Sequence, residues 1–410
     1  MDHRTLKSRA LRALLVTSAL CPLFAGAAHA QTSGTALDEI VVTAQRRSEN
    51  LQNVPIAVSA INASLAEKLG IIDMQSVVEV VPGLTFNRAS TGATPFINGV
   101  GSNSTSPGNE PSVATFIDDI YQPTSFGGFF EFNNIEQVEV LKGPQGTLFG
   151  RNATGGVVHN HTKDPSYTPS MNLSATYGNY DTKAGQFYGT TKITENVAGN
   201  LALFVKDQAD GWGVNVLTGN PTFKSYAHGA RAKLLFDPSD ATTVRLSANY
   251  ELLKGAVGLA QRLPVGFTGR NGYGPNIGFY DASSAPDSLY KNIVKAGSAK
   301  ITHDFGAAKL ISITGYTDIA SWDIFDVGVT PTNFFAAEIL QTAKTFTQEL
   351  QLTSPDDSDI KWIIGAFYMK DHSQFTNTYT GLAFGAAGIT TADVNQETDS
   401  YSGFAQASAR

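Results

Sequence analysis

From Ser170 onward, apolar and polar residues alternate with a period of two. Thr242, Val244, Leu246, Ala248 and Tyr250 fall on one side of the chain, and Ala241, Thr243, Arg245, Ser247 and Asn249 on the other. Phe346, Leu350 and Leu352 alternate in the same way with Thr345, Thr347, Glu349, Gln351 and Thr353. Leu201, Leu203 and Val205 alternate with Asn200, Ala202, Phe204 and Lys206. Successive side chains of a strand point to opposite faces, so this pattern predicts long strands with one apolar face. About ten such strands fit between Ser170 and the last residue. Their connections are short and polar at 194–199, 237–240, 304–306 and 354–358, and long and rich in glycine and aromatics at 210–225, 254–288, 321–341 and 374–397. Short turns alternating with long loops predict a membrane barrel, apolar outside and polar inside. The alternation of faces alone would also suit a soluble sandwich.

Before Ser170 the pattern is mixed. Ile56-Ala57-Val58, 113–117 and 135–141 read as strands. Asn62 is placed to cap a helix over 63–69 that Gly70 ends, and Asp73 to cap another over 74–81 that Pro82-Gly83 ends. Asp118-Asp119 falls at a turn. This predicts an α+β domain over 55–162. Ahead of it stands Asp38-Glu39-Ile40-Val41-Val42-Thr43-Ala44, flanked by polar stretches at 31–36 and 45–50. Three consecutive β-branched residues favour a strand, and no partner lies nearby in sequence. Such a segment is either a handle for strand addition to another protein or the first strand of the domain that follows.

Composition narrows the class. The chain has 410 residues, with 39 Gly, 14 Tyr and 24 Phe, but only 16% charged residues. Soluble domains carry roughly a quarter. The net charge of -7 argues against a nucleic-acid partner, which calls for a basic surface. One cysteine excludes a disulfide framework. Residues 1–30 read as an export signal. Arg4, Lys7, Arg9 and Arg12 form a basic start, an apolar run covers 13–24, and Ala28-His29-Ala30 offers a cleavage site. After Ala30 no apolar run is long enough for a membrane helix, so any spanning structure must be a closed barrel.

The run 142–156, KGPQGTLFGRNATGG, directly follows the strand-like Val138-Glu139-Val140-Leu141. It contains neither a Walker-type nor a dinucleotide-binding glycine pattern. Together with NVPIAVSAI, VPGLTFN and PSVATFIDDIYQP, in that order, it resembles the plug domain of TonB-dependent outer-membrane receptors. The resemblance implies an α+β plug domain followed by part of an antiparallel transmembrane β-barrel, with about ten of roughly 22 strands present. It divides the chain into a signal peptide (1–30), a periplasmic leader with the TonB box (31–50), the plug (51–165) and the N-terminal portion of the barrel (166–410). It assigns TonB binding to Asp38, Glu39, Ile40, Val41, Val42, Thr43 and Ala44. Gly143, Pro144, Gly146, Gly150, Arg151, Asn152, Gly155 and Gly156 become the plug's structural motif. The partners implied are the periplasmic TonB protein, outer-membrane lipid and a small ligand. Two departures stand out: Asn98 where the family usually has arginine, and His161 where an apolar residue is usual. The run 401–410 ends in a strand without a closing set, so a longer receptor or a truncated frame is expected.

Candidate chemistry is sparse. His159 and His161 share one face of a strand, but no carboxylate or third histidine is near in sequence, so no metal site is expected. Asp118-Asp119 is expected to be structural. Arg151 and Asn152 are expected to bond within the plug or to the barrel wall. Trp212, Trp322 and Trp362 are too few to mark a sugar platform. No catalytic motif is present, which predicts no enzyme and no cofactor. The function expected is energised, TonB-dependent uptake of a scarce ligand, an iron-siderophore or another small nutrient, through the outer membrane of a Gram-negative bacterium. A passive porin or a surface adhesin is the alternative, and the ligand-binding residues are not readable.

Overall fold

Two large sheets organise the molecule, one five-stranded and mixed, the other ten-stranded and antiparallel. The computed structural model describes residues 41–409, apart from 44–45, 48, 70, 72–73, 90–91, 104–109, 125–133, 258–277, 328–331, 356 and 388. The expected signal peptide, the first part of the leader and the capping positions Gly70 and Asp73 lie outside the described residues.

The leader contributes β1 (Val41–Val42) and β2 (Glu49–Asn50), which pair with each other. The domain then runs β3 (Val58–Asn62), α1 (Ala63–Leu69), α2 (Met74–Val77), β4 (Leu84–Ala89), β5 (Gly92–Ile97), β6 (Val100–Gly101), β7 (Val113–Ile117), β8 (Ile120–Gln122), β9 (Ile135–Lys142), α3 (Gly146–Phe149) and β10 (Gly156–Thr162). Asn62 caps α1 as its type predicts, its Oδ1 accepting from Leu65 N at 2.9 Å. The first strand starts later than its sequence suggests, at Val58, and α2 ends earlier, at Val77. Asn98 and Gly99 both have positive φ, 50° and 82°, which suits the tight turn between β5 and β6.

The five-stranded sheet has the order β3-β9-β10-β7-β8, with β10 parallel to β7. Each of its two faces packs into its own cluster of buried side chains. One face packs Val113, Val138, Val140 and Val158 against Ala66, Val77, Leu84 and Ile97. The other packs Ala114, Phe116, Leu141 and Val157 against Val42, Leu148, Phe149 and the long sheet's Ile363 and Met369.

The long sheet is a meander in chain order: β11 (Ser170–Gly178), β12 (Thr182–Thr194), β13 (Val197–Gln208), then β16 (Lys224–Ser239), β17 (Thr242–Ala256), β18 (Leu289–Asp304), β19 (Lys309–Asp326), β20 (Ala336–Thr353), β21 (Ile360–Thr380) and β22 (Ile389–Ala409). A small hairpin, β14 (Gly213–Val214) with β15 (Pro221–Thr222), rises from the β13–β16 connection. Its faces are inverted relative to a soluble sheet. Thr345, Thr347, Glu349, Gln351 and Thr353 are buried, while Phe346, Leu350 and Leu352 on the same strand are exposed. Leu201, Leu203, Val205, Leu246 and Tyr250 are exposed as well. A sandwich would bury the apolar face; a barrel wall turns it to lipid. Among the described residues no helix is long and apolar enough to cross a membrane. Two of the expected long loops are shorter than their composition suggested: β19 and β20 extend to Asp326 and from Ala336, and β21 and β22 to Thr380 and from Ile389. Cross-strand pairing overrides glycine content there.

Candidate functional site

The leader is stowed against the plug sheet, which corrects the expectation of a strand without a partner. Besides pairing with β2, Val42 inserts completely into the core beside Phe116 and Leu141, and Val41 stays half exposed. Gln137 Nε2 donates to the Val41 carbonyl at 2.9 Å. Thr43 donates its N–H to Glu139 Oε1 at 2.9 Å and its hydroxyl to Glu139 Oε2 at 3.1 Å. The same hydroxyl lies 3.1 Å from His161 Nε2.

The two arginines that follow tie the leader to the barrel wall. Arg46 lies over the Phe116 and Phe149 rings, 5.1 and 4.7 Å from their centroids, and its guanidinium is 3.3 Å from Glu349. Arg47 donates to Ser354 Oγ at 2.9 Å and to the Trp362 carbonyl. Ser354 opens the short connection between β20 and β21, so the leader sits at the short-turn end of the wall. Of the handle residues singled out in the sequence, Val41, Val42 and Thr43 are placed here; Asp38, Glu39, Ile40 and Ala44 lie outside the described residues.

A band of charge surrounds this dock. The Asp118-Asp119 turn, with φ of 46° and 71°, aims both carboxylates at the wall. Lys233 of β16 is 3.1 Å from Asp118 and Lys300 of β18 is 2.7 Å from Asp119. Thr162 donates its N–H and its hydroxyl to Asp118 at 2.8 and 2.7 Å. Burial alone would raise the Asp118 pKa, but Lys233, Arg231 and the Thr162 bonds outweigh it and the pKa is lowered. Burial is likewise overcome at Asp119, chiefly by Lys300 and His159, and its pKa ends well below the ordinary carboxylate value. Glu139 is lowered against its burial by His161. Burial opposes the charged form of His161, yet Glu139 prevails and raises its pKa, whereas burial and His161 keep His159 low. A cavity of about 560 Å³ opens between this band and the wall, lined in part by Thr43, Asp119, Glu139, His161, Lys233 and Lys300.

The glycine run acts as a clasp on the sheet. Gly143 N donates to Gly155 O, Gln145 N to Ala153 O and Gly155 N to Ser112 O. Pro144 precedes a single helical turn, α3, that the reading as turns alone had not included; Gly146 opens it and Gly150 closes it at φ 77°. Gly156 allows no side chain, because a Cβ there would lie 2.2 Å from the Leu141 carbonyl oxygen. Arg151 pairs with Glu110 and Asn152 donates to Tyr121 Oη at 2.7 Å, both inside the domain.

Glu139, Gln137, Arg46, Lys233, Lys300 and Glu349 had no role in the sequence reading. Only strand register reveals Glu139: it lies directly opposite His159 across the β9–β10 pair. Glu139, His159 and His161 each offer a ligand atom, all within 4.8 Å of one another.

Residues 50–157 match the family model described as TonB-dependent Receptor Plug Domain. The pesticin receptor of Yersinia pestis is 27% identical over 196 residues, which cover 47% of this chain and 29% of that protein. The vitamin B12 transporter BtuB of Vibrio vulnificus is 26% identical over 231 residues, 56% of this chain and 36% of that protein. The crystal structure of the ferric yersiniabactin uptake receptor FyuA from Yersinia pestis superposes with a TM-score of 0.67 at 17% identity, covering 86% of this chain and 62% of that one. The matched stretches thus span about a third of the length of these two curated relatives.

Proposed function

We propose that the chain is the plug and the N-terminal portion of the barrel of a TonB-dependent receptor of the Gram-negative outer membrane, and that this receptor takes up a scarce small ligand at the expense of work done on its leader. The relatives' names span vitamin B12, pesticin and ferric yersiniabactin, so the reading stays with a small nutrient, an iron-siderophore among the candidates. It includes no catalytic step.

The single observation that carries the proposal is the docking of Val41-Val42-Thr43. The segment is a short strand held at the short-turn end by three hydrogen bonds and one buried valine. Burying a valine is worth about 1.5–3 kcal/mol. Each net hydrogen bond adds about 0.5–1.5 kcal/mol, or roughly 1.5–3 with a charged acceptor. These terms sum to about 5–10 kcal/mol, and ordering the backbone of three residues costs about 1–2 kcal/mol each, so the net dock is worth a few kcal/mol, within the range that ligand binding to a plug can offset. Once undocked, residues 38–44 present a free strand edge to which the periplasmic TonB protein adds a strand. Main-chain hydrogen bonds loaded side by side then transmit the pull to the sheet. The clasp 143–156 keeps β7, β9 and β10 together under that load.

A plug sheet packed through Val157 and Phe116 toward Ile363 and Met369 of the wall favours this reading over a passive pore. The test is Val41→Pro, which deletes a donor from the added strand. The expected outcome is ligand binding at wild-type affinity with uptake abolished. Unchanged uptake would refute the proposal.

A further inference from the structure

We propose that Glu139, His159 and His161 form a binding site for a divalent transition-metal ion of zinc-like preference on the underside of the plug. His159 and His161 are two apart on β10 and so share a face. Register places Glu139 of β9 opposite His159 on that face. The donors therefore stand on two hydrogen-bonded strands rather than on loops. Their set of two imidazoles and one carboxylate is that of open zinc sites, which leave a fourth position for water or another oxygen. His161 Nε2 and Glu139 Oε1 are 3.5 Å apart. Two donors about 2.0–2.1 Å from a tetrahedral ion stand roughly that far from each other.

A plain ion pair between Glu139 and His161 explains only part of the arrangement. His159 is fully buried, its ring centroid 3.9 Å from that of His161, and its Nδ1 has no hydrogen-bond partner among the described residues. A buried polar atom without a partner is costly unless something fills the position. At the other ring nitrogen, Asp119 Oδ1 lies 3.4 Å from Nε2, and the Asp119 N–H meets the same atom at 3.3 Å. An ion at Nδ1 would fix the proton on Nε2, which would then turn from accepting the Asp119 N–H to donating to Asp119 Oδ1, the outer-partner arrangement typical of metal-bound histidine. The cavity beside His161 gives an ion a route in, and Thr43 Oγ1, 3.1 Å from both Glu139 Oε2 and His161 Nε2, stands at its mouth. An ion there takes the carboxylate oxygens that Thr43 now uses, so metal and leader compete for one acceptor.

The probe is Co²⁺, added to untagged receptor stripped with chelator, with Zn²⁺ as competitor. The expected result is one Co²⁺ per chain, with the visible absorption of low-coordinate cobalt, displaced by one equivalent of Zn²⁺. Asp119→Asn should weaken binding about 10–100-fold, and His161→Leu or Glu139→Gln by more, because they remove ligands rather than an outer partner. His303→Ala, remote on β18, should change nothing. Heat-modifiable migration on gels verifies each barrel, and if His161→Leu does not fold, Glu139→Gln carries the test. Failure of the wild type to bind Co²⁺ stoichiometrically overturns the site, as does undiminished binding by His161→Leu or Glu139→Gln.

Discussion

Thr43 gives both of its donors, backbone N–H and hydroxyl, to the two oxygens of Glu139, a residue 96 positions further along the chain. One carboxylate thus anchors the leader to the middle of the plug sheet. Gln137 Nε2 donates to Glu139 Oε1 as well, at 2.8 Å, which orients the carboxylate toward Thr43.

Glu139→Gln keeps the size but removes the charge and one acceptor. A hydrogen bond to a charged group is worth about 1.5–3 kcal/mol, so the undocked population should rise roughly 10- to 100-fold. A nitroxide at Val41→Cys reads this, since that side chain is half exposed. The expected spectrum gains a mobile component without added ligand. A spectrum identical to that of unmodified Glu139 would show that the anchor lies elsewhere.

Asp118 and Lys233 join plug to wall through a pair whose lysine side chain is 5% exposed. Asp118 has a folded-state pKa below its ordinary 3.8. Its contribution is therefore complete above that value and is lost as pH falls through the lowered one. Denaturant unfolding of the receptor should show stability dropping as pH falls below about 4. Asp118→Asn should flatten that drop. At neutral pH it should cost toward the lower end of the roughly 3–5 kcal/mol typical of breaking a buried pair, because Asp118 keeps some solvent contact. An undiminished drop in the variant would assign the acid sensitivity to other groups.

Phe346 on β20 faces outward between buried Thr345 and Thr347. If that face meets lipid, Phe346→Arg should destabilise the barrel by about 2–4 kcal/mol near the bilayer midplane, falling toward the rims. Unfolding from lipid vesicles measures it. A neutral effect would mean that this face meets water.

The barrel strands and the plug's α1 were legible because each rests on local signals: period-two alternation around Leu246 and Phe346, and a capping Asn62 before an apolar run. The clasp was legible because glycine at positions such as 156 is dictated by backbone contact. The dock was not. Its parts, Thr43, Glu139, His161 and Glu349, are far apart in sequence and meet only through register and the packing of the wall against the plug. The leader looked partnerless because its strand partner, Glu49–Asn50, lies in a stretch that reads as polar linker. His161 was visible as a departure from the family, yet its meaning needed the opposite strand. Loop lengths at 321–341 and 374–397 were overestimated because glycine and aromatic content marks barrel strands and external loops alike.

The most direct test asks whether the leader is the part that is pulled. A photo-crosslinking side chain at Val41, in outer membranes holding the intact receptor and in cells with an energised inner membrane, reports contact with the periplasmic TonB protein. The predicted result is an adduct with TonB that becomes stronger when the transported ligand is bound. No adduct in the presence of that ligand would contradict the mechanism.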